Sequence, residues 1–259
     1  MDCRAGINTA MQDYPHSDNH PIGSYLTGST QTHLVEWVGA PLQFATANYF
    51  LVHSDVVEPL TALSQRAAGQ GFELRLCSSF RSFERQLKIW NDKIKGLRPV
   101  YDDRGAQLDM AELSEWQQVQ AVMRWSALPG ASRHHWGTDF DIYDAAAVAP
   151  DYQVKLIPEE VENGGPFAPM HNWLDTVFGS GIGGSGAAGS DFYRPYAEDR
   201  GGIAPERWHI SYRPLADVFA AQLTVDLLAR KLSTADLELK ETVLAHLDEL
   251  YARYIHVPH

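Results

Sequence analysis

Strand-forming sequence is scarce in this chain and widely spaced. Three short runs have the alternation or the β-branched and aromatic content of strands: Phe72 to Cys77 (FELRLC), Thr138 to Tyr143 (TDFDIY) and Trp208 to Tyr212 (WHISY). Long stretches of helical character lie between them. Nowhere do strand and helix alternate in the rhythm that builds a parallel βαβ sheet. The chain is therefore read as α+β, with any sheet assembled from strands far apart in sequence.

The helical stretches are bounded by ordinary stop signals. Ser54 is placed as the N-cap of a helix that Gly69 or Gly71 ends, and Ser82 to Lys95 ends at Gly96 and Pro99. Met110 to Ala127 reads as one long helix closed by Pro129-Gly130, and Pro166 to Phe178 as another. Leu215 to Leu232 and Thr234 to Tyr254 read as two C-terminal helices whose apolar stripes suit core packing. Residues 1–35 are polar and mixed, an irregular lead-in, which leaves 36–259 as a single domain ending in those helices. The run GSGIGGSGAAGS, Gly179 to Ser190, reads as a surface loop, since no Gly-Lys-Ser/Thr follows to make a phosphate cradle.

Composition excludes several classes. Hydrophobic residues at 44% and charged residues at 21% are those of a globular chain. A formal net charge of -12 argues against nucleic acid or an anionic membrane as partner, because both require basic surfaces. No apolar run approaches the length of a transmembrane span. The beginning, MDCRAGINTAMQDYPHSDN, lacks the apolar core of a signal peptide, so the sequence as it stands reads as cytoplasmic. Its two cysteines, Cys3 and Cys77, make no disulfide framework, and Cys77 is expected as a buried thiol.

Of the 11 histidines, His16, His20, His33, His256 and His259 lie in polar or terminal segments, and His53, His171 and His246 read as surface or core residues. Two segments stand apart. In ASRHHWGTDFDIYD, His134 precedes a glycine and a strand that carries Asp141; in APERWHISY, Glu206 comes three residues before His209. Two imidazoles and a carboxylate form a normal catalytic zinc set that keeps a coordination position open for water. A further carboxylate outside the ligand set can take a proton from that water. His134, Asp141 and His209 fit the ligand roles and Glu206 the base. The residues by themselves leave open a hydrogen-bonded core histidine beside solvated acids. His246-Leu247-Asp248 has the His-x-Asp spacing of an iron oxygenase, but it sits on a leucine-striped helix and is read as chance.

Ser132, His134, Gly137 and Asp141 resemble the signature Ser-x-His-x-x-Gly-x-Ala-x-Asp of the LAS metallopeptidases, the group named for lysostaphin, D-Ala-D-Ala peptidases and sonic hedgehog. Glu206, Trp208 and His209 are similar to that group's Glu-x-Trp-His element. Ser79-Phe80-Arg81-Ser82, with Gln86 following, resembles its upstream Gly-Tyr-Arg-Ser. The three elements occur in order over roughly residues 75–213, in the manner of the vancomycin-resistance type of D-alanyl-D-alanine carboxypeptidase.

The resemblance implies a small antiparallel sheet with flanking helices. It also implies zinc-dependent hydrolysis of the peptide bond next to a C-terminal D-amino acid in peptidoglycan stem peptides or muropeptides. An endopeptidase cutting between L-Ala and a D-residue, a D,D-dipeptidase, and a non-catalytic zinc-binding module are the alternatives. Such a substrate suggests the cell envelope, against the cytoplasmic reading of the sequence itself. By the same resemblance Arg81 is the cation for the oxyanion or the substrate carboxylate, and Gln86 and Ser132 are substrate hydrogen-bond donors. Trp136 and Trp208 flank the proposed ligands, as cleft walls or as packing; Trp90, Trp116, Trp125 and Trp173 read as core. One position departs from the pattern: Asp139 stands where the family has Ala. Strand alternation puts Asp139 beside Asp141, with Phe140 and Ile142 turned to the core. Asp139 is expected at the substrate site, accepting a hydrogen bond from a metal-binding histidine or pairing with an arginine such as Arg81.

Overall fold

The computed structural model describes residues 21–39, 49–178 and 190–256. A short helix, Pro21–Leu26, falls within the segment expected to be irregular, whose first 20 residues lie outside the described ones. Two strands that the sequence did not single out follow: β1 (Leu34–Trp37) and β2 (Phe50–His53), paired antiparallel. The three expected strands appear within one or two residues of their expected limits, as β3 (Leu74–Ser78), β4 (Asp139–Asp144) and, after the two-residue β5 (Phe192–Tyr193), β6 (His209–Tyr212). They form an antiparallel sheet in the order β3-β4-β6-β5. The fold class is α+β, with helices packed around small antiparallel sheets.

Register decides what this sheet displays. Ser78 stands opposite Asp141, and Asp141 opposite His209. A period of two then gives Asp139, Asp141, His209 and Ser211 one face and Phe140, Ile142 and Ile210 the other. The latter three are fully buried in the main core. β3 slips register between Leu76 and Ser78; without that bulge Cys77 would oppose Asp141. The bulge leaves Cys77 exposed, not a buried thiol, and aims Ser78 across at Asp141.

The helices follow their caps. The Ser82 hydroxyl accepts from Arg85 N and starts the helix Phe83–Ile94, which buries Phe83, Gln86 and Trp90 on one stripe. Ser114 and Gln117 form a reciprocal capping box. It splits the expected Met110–Ala127 helix into a 3-10 turn, Met110–Glu112, and a helix, Glu115–Trp125. At Ser54 the cap belongs to the preceding residue: His53 Nδ1 accepts from Asp55 N, and a 3-10 turn leads into the helix Val57–Ala68. Thr224 caps in the same way and divides the first C-terminal helix into Arg213–Gln222 and Val225–Ser233. Leu239, at φ 57°, divides the second, where Lys240–Ala245, Leu247–Leu250 and a π turn, Tyr251–Ile255, follow. The expected glycine-rich loop lies, but for Ser190, outside the described residues. Among the described residues no helix is long and apolar enough to cross a membrane.

Candidate metal centre and active site

The site forms where a 3-10 turn, Arg133–Trp136, feeds β4 beside β6. Gly137 joins turn to strand at φ 69°, and its carbonyl accepts from His53 N at 2.8 Å. A Cβ there would lie 2.5 Å from Leu34 Cδ2 and 2.8 Å from His53 N, so the sequence motif's glycine has a steric cause. The turn sets His134 Nε2 3.3 Å from Asp141 Oδ2, while β6 brings His209 Nδ1 to 3.1 Å from Asp141 Oδ1. One donor atom from each of these three buried residues lies within 4.8 Å of the others, a spacing that can hold a metal ion. Two imidazole nitrogens and a carboxylate oxygen suit a divalent transition metal, and three protein donors leave a coordination position for water.

Both rings are oriented by a single residue. His134 Nδ1 lies 3.2 Å from the Asp139 carbonyl, and His209 Nε2 lies 3.1 Å from the Asp139 carboxylate. Each of those nitrogens donates, so His134 Nε2 and, once its proton is released, His209 Nδ1 present their lone pairs toward the metal position. Asp139 is itself fully buried. It accepts from Arg133 Nε at 2.7 Å and from Thr138 Oγ1 at 2.7 Å. Arg133 also donates through Nη2 to Tyr193 Oη and Ser211 Oγ, each at 2.8 Å, and its guanidinium lies over Trp136. Burial opposes ionisation of Asp139, but the Arg133 charge and the His209 bond outweigh it and hold the carboxyl well below its usual range. Burial also opposes a charge on His209, yet its bonds to Asp139 and Asp141 raise it to about 9. Asp139 is therefore not at the substrate surface, and its arginine is Arg133, not Arg81. The hydrogen bond from a metal-binding histidine is as expected, and through it Asp139 holds the ligands from behind.

Glu206 lies in the loop before β6, where its carbonyl accepts from His209 N at 3.0 Å. An odd spacing on a regular strand would have set Glu206 and His209 on opposite faces; the turn brings Glu206 Oε2 to 3.7 Å from His209 Nδ1. Burial pushes the Glu206 carboxyl up to about 7, against the pull of His209 and Arg81.

Arg81 is tied to the metal ligands through its backbone. Its N donates to His134 O at 3.1 Å, and its O meets His135 Nδ1 at 2.6 Å. His135 Nε2 accepts from Gly130 N at 3.0 Å, which fixes a neutral ring, and burial lowers its pKa to about 3. The Arg81 guanidinium donates to Gln86 Oε1 at 2.9 Å and to Ser78 Oγ at 3.1 Å, and among the described residues it has no carboxylate partner in an ion pair. Gln86 is fully buried and donates to Ala127 O at 2.6 Å. It cannot be the substrate donor expected from the sequence; it positions Arg81. Ser132 is buried immediately before the turn and does not cap it. Trp136 belongs to the main core and donates to Leu26 O, while Trp208 packs with Val161 and Phe167. His246 stacks on Trp116 and takes no part in the metal centre.

The sequence did not point to Arg133, His135 or Ser78. Arg133 and His135 flank a motif histidine, but their roles depend on how the 3-10 turn folds them onto Asp139 and Gly130 and on further partners 54 to 78 residues away. Ser78 acquires its place from a bulge that no local pattern announces.

A family model described as VanY, D-alanyl-D-alanine carboxypeptidase, matches residues 50–215, more than half of the chain. The chain belongs to the VanY family. The matched span carries all the residues of the metal centre together with Arg81 and Glu206. A protein of Haemophilus influenzae described as uncharacterized is 48% identical over 103 residues, which are 40% of this chain and 67% of that one. A second protein of that organism, described in the same words, is 28% identical over 130 residues, 49% of this chain and 92% of its own. Among solved structures, VanYB in complex with D-alanine-D-alanine is 20% identical with a TM-score of 0.42, over 76% of this chain and 94% of that chain. The LdcB LD-carboxypeptidase is 19% identical with a TM-score of 0.48, over 76% and 77%.

Proposed function

We propose that this VanY-family chain is a zinc peptidase that removes the C-terminal D-amino acid from peptidoglycan stem peptides. The observation that carries the proposal is the buried His134, Asp141 and His209 donor set with Glu206 beside it. A structural metal site closes its coordination with four protein ligands, whereas three ligands and a neighbouring carboxylate suit hydrolysis. Glu206 and Arg81 also argue against a module that only binds metal, since neither is needed to hold the ion. Zinc bound there would lower the pKa of its water toward neutrality and polarise the scissile carbonyl.

The chain's own residues would do the rest. Glu206 takes the proton of the attacking water and delivers it to the nitrogen of the leaving amino acid as the C–N bond breaks. Water oxygen thus ends in the new carboxyl group and its proton on the amine. Arg81, held by Gln86 and Ser78, offers its charge to the oxygen that becomes anionic during attack. Ser132 is the remaining candidate hydrogen-bond donor to the peptide. A substrate of this kind would be met in the cell envelope, or as recycled muropeptides in the cytoplasm.

The test is mass spectrometry of acyl-peptides ending in D-Ala-D-Ala after incubation with zinc-loaded protein. Loss of one alanine supports the proposal. Cleavage at an internal bond, or release of an intact dipeptide, would replace it with the endopeptidase or dipeptidase alternative.

A further inference from the structure

Lys93 lies one position before the end of the helix Phe83–Ile94, on the stripe that carries Gln86 and Trp90. Residues at this spacing share a helix face, so Lys93 follows the same face whose Gln86 grips the Arg81 guanidinium. The charges that act on it most are Glu206, then Arg81 and Arg98, and Glu206 is in turn influenced by Lys93. Lys93 therefore belongs to the surroundings of the metal centre. It is half-buried, and its ammonium makes no hydrogen bond or ion pair among the described residues. Of the other lysines and arginines of this helix and its end, Arg85 is exposed to solvent, and Lys88, Lys95 and Arg98 are spent on Asp92, Glu238 and Asp92.

A cation withdrawn from water without a partner is at a disadvantage that an arriving anion relieves. Burial pushes the Lys93 ammonium down to about 8, the direction expected of such a group. Arg81 alone cannot serve both demands of a carboxypeptidase, since the oxygen made anionic by attack and a carboxylate of the peptide lie at different atoms. Two cations without ion-pair partners among the described residues, both acting on Glu206, match those two demands.

We propose that Lys93 receives a carboxylate of the peptide substrate, leaving Arg81 to the reacting carbonyl oxygen. The proposal rests on the peptidase function above and specifies how its substrate is chosen. The carboxylate has two possible sources, the C-terminus of the peptide or an acidic side chain in the residue preceding the scissile pair, and both are the same chemistry for an ammonium.

The experiment uses acetylated peptides ending in D-Ala-D-Ala in three forms: one with both carboxylates free, one with the C-terminus amidated, and one with the side-chain carboxylate amidated. Zinc-loaded wild type, Lys93→Met and Lys93→Arg are compared, with KM and kcat for every peptide that is cleaved and Kd by calorimetry for all three. Methionine keeps most of the apolar stem, and Lys93→Arg keeps the charge. In wild type, amidating one of the two carboxylates should weaken binding about tenfold or more, and which one identifies the source. Lys93→Met should lose the same factor on the fully acidic peptide, lose nothing further on amidation, and keep kcat within a few-fold; Lys93→Arg should recover most of the loss. The proposal is overturned if Lys93→Met binds all three peptides as wild type does, weakens all three alike, or lowers kcat alone. If wild type binds the peptides and cleaves none, the peptidase function falls while the binding comparison still decides the role of Lys93. If it binds none, both fall.

Discussion

Replacing Asp139 by alanine restores the residue that the family's pattern has at this position, and here it should be damaging in two separable ways. Asp139 is fully buried and Arg133 nearly so. Removing the carboxylate leaves a guanidinium inside the protein with Tyr193 and Ser211 as neutral partners only. Breaking one side of a buried pair costs about 3–5 kcal/mol, a large part of the roughly 5–15 kcal/mol that holds a domain together. The same change takes away the acceptor of His209 Nε2, and losing such a support typically weakens metal binding about 10–100-fold. The double variant Arg133→Met/Asp139→Ala tells the two effects apart. An apolar replacement of the whole pair is often neutral or stabilising, so the double variant should regain most of the stability. It should not regain metal affinity, because His209 still lacks its acceptor. Urea unfolding and chelator competition on the three proteins measure both quantities. Asp139→Ala within about 1 kcal/mol of wild type and with unchanged metal affinity would refute the argument. So would full recovery of metal affinity in the double variant.

Metal uptake should be proton-linked: His209, raised to about 9 in the metal-free protein, must release its Nδ1 proton. Apparent affinity should therefore rise about tenfold per pH unit up to about 9, and a flat profile in chelator competition would contradict it. Glu206→Gln should keep metal and fold while turnover falls about 10²–10⁴-fold, as read by metal analysis alongside peptide assays. Gly137→Ala forces φ 69° on a side chain that also meets His53 N and Leu34. The backbone conformation alone should cost about 1–3 kcal/mol in denaturant unfolding. His135 stays neutral when folded, with a pKa of about 3 against 6.5, so the unfolded chain binds the extra proton between those values. Stability should accordingly fall as pH drops from about 6.5 toward 3, and the fall should be shallower in His135→Gln.

The strands that carry chemistry were legible because alternation is a local property. Asp139 and Asp141 could be set on one face, with Phe140 and Ile142 on the other, from four letters of sequence. The metal ligands and Glu206 were legible as spaced elements of a motif. The role of Gln86 was not, nor was the burial of Asp139 and the identity of its arginine, since both are polar residues whose side of the wall depends on what packs over them. Gln86 turns inward to Ala127 O, and Asp139 meets an arginine six residues earlier only because a 3-10 turn folds it back. β1 and β2 escaped notice because the burial in β1 does not alternate: the adjacent Val35 and Glu36, on opposite faces, are both exposed. Helix breaks at Ser114 and Thr224 were written in the sequence as caps, but the apolar periodicity running through them hid the break.

The row Ser78, Asp141, His209 runs straight across three strands, fixed by ladder register. Nothing in that arrangement measures how far apart the residues are along the chain. The connections between Ile94 and Glu115 and between Asp144 and Phe192 carry none of the metal donors, and they can lengthen, shorten or be exchanged without displacing a donor atom, provided their ends return to the same places. Inside a strand the tolerance vanishes: one residue deleted between Asp139 and Asp141 turns one of those carboxylates into the core. Insertions and deletions that preserve the metal centre should accordingly be confined to the connections, and it is there that such a scaffold is free to acquire new substrate contacts while its chemistry stays put.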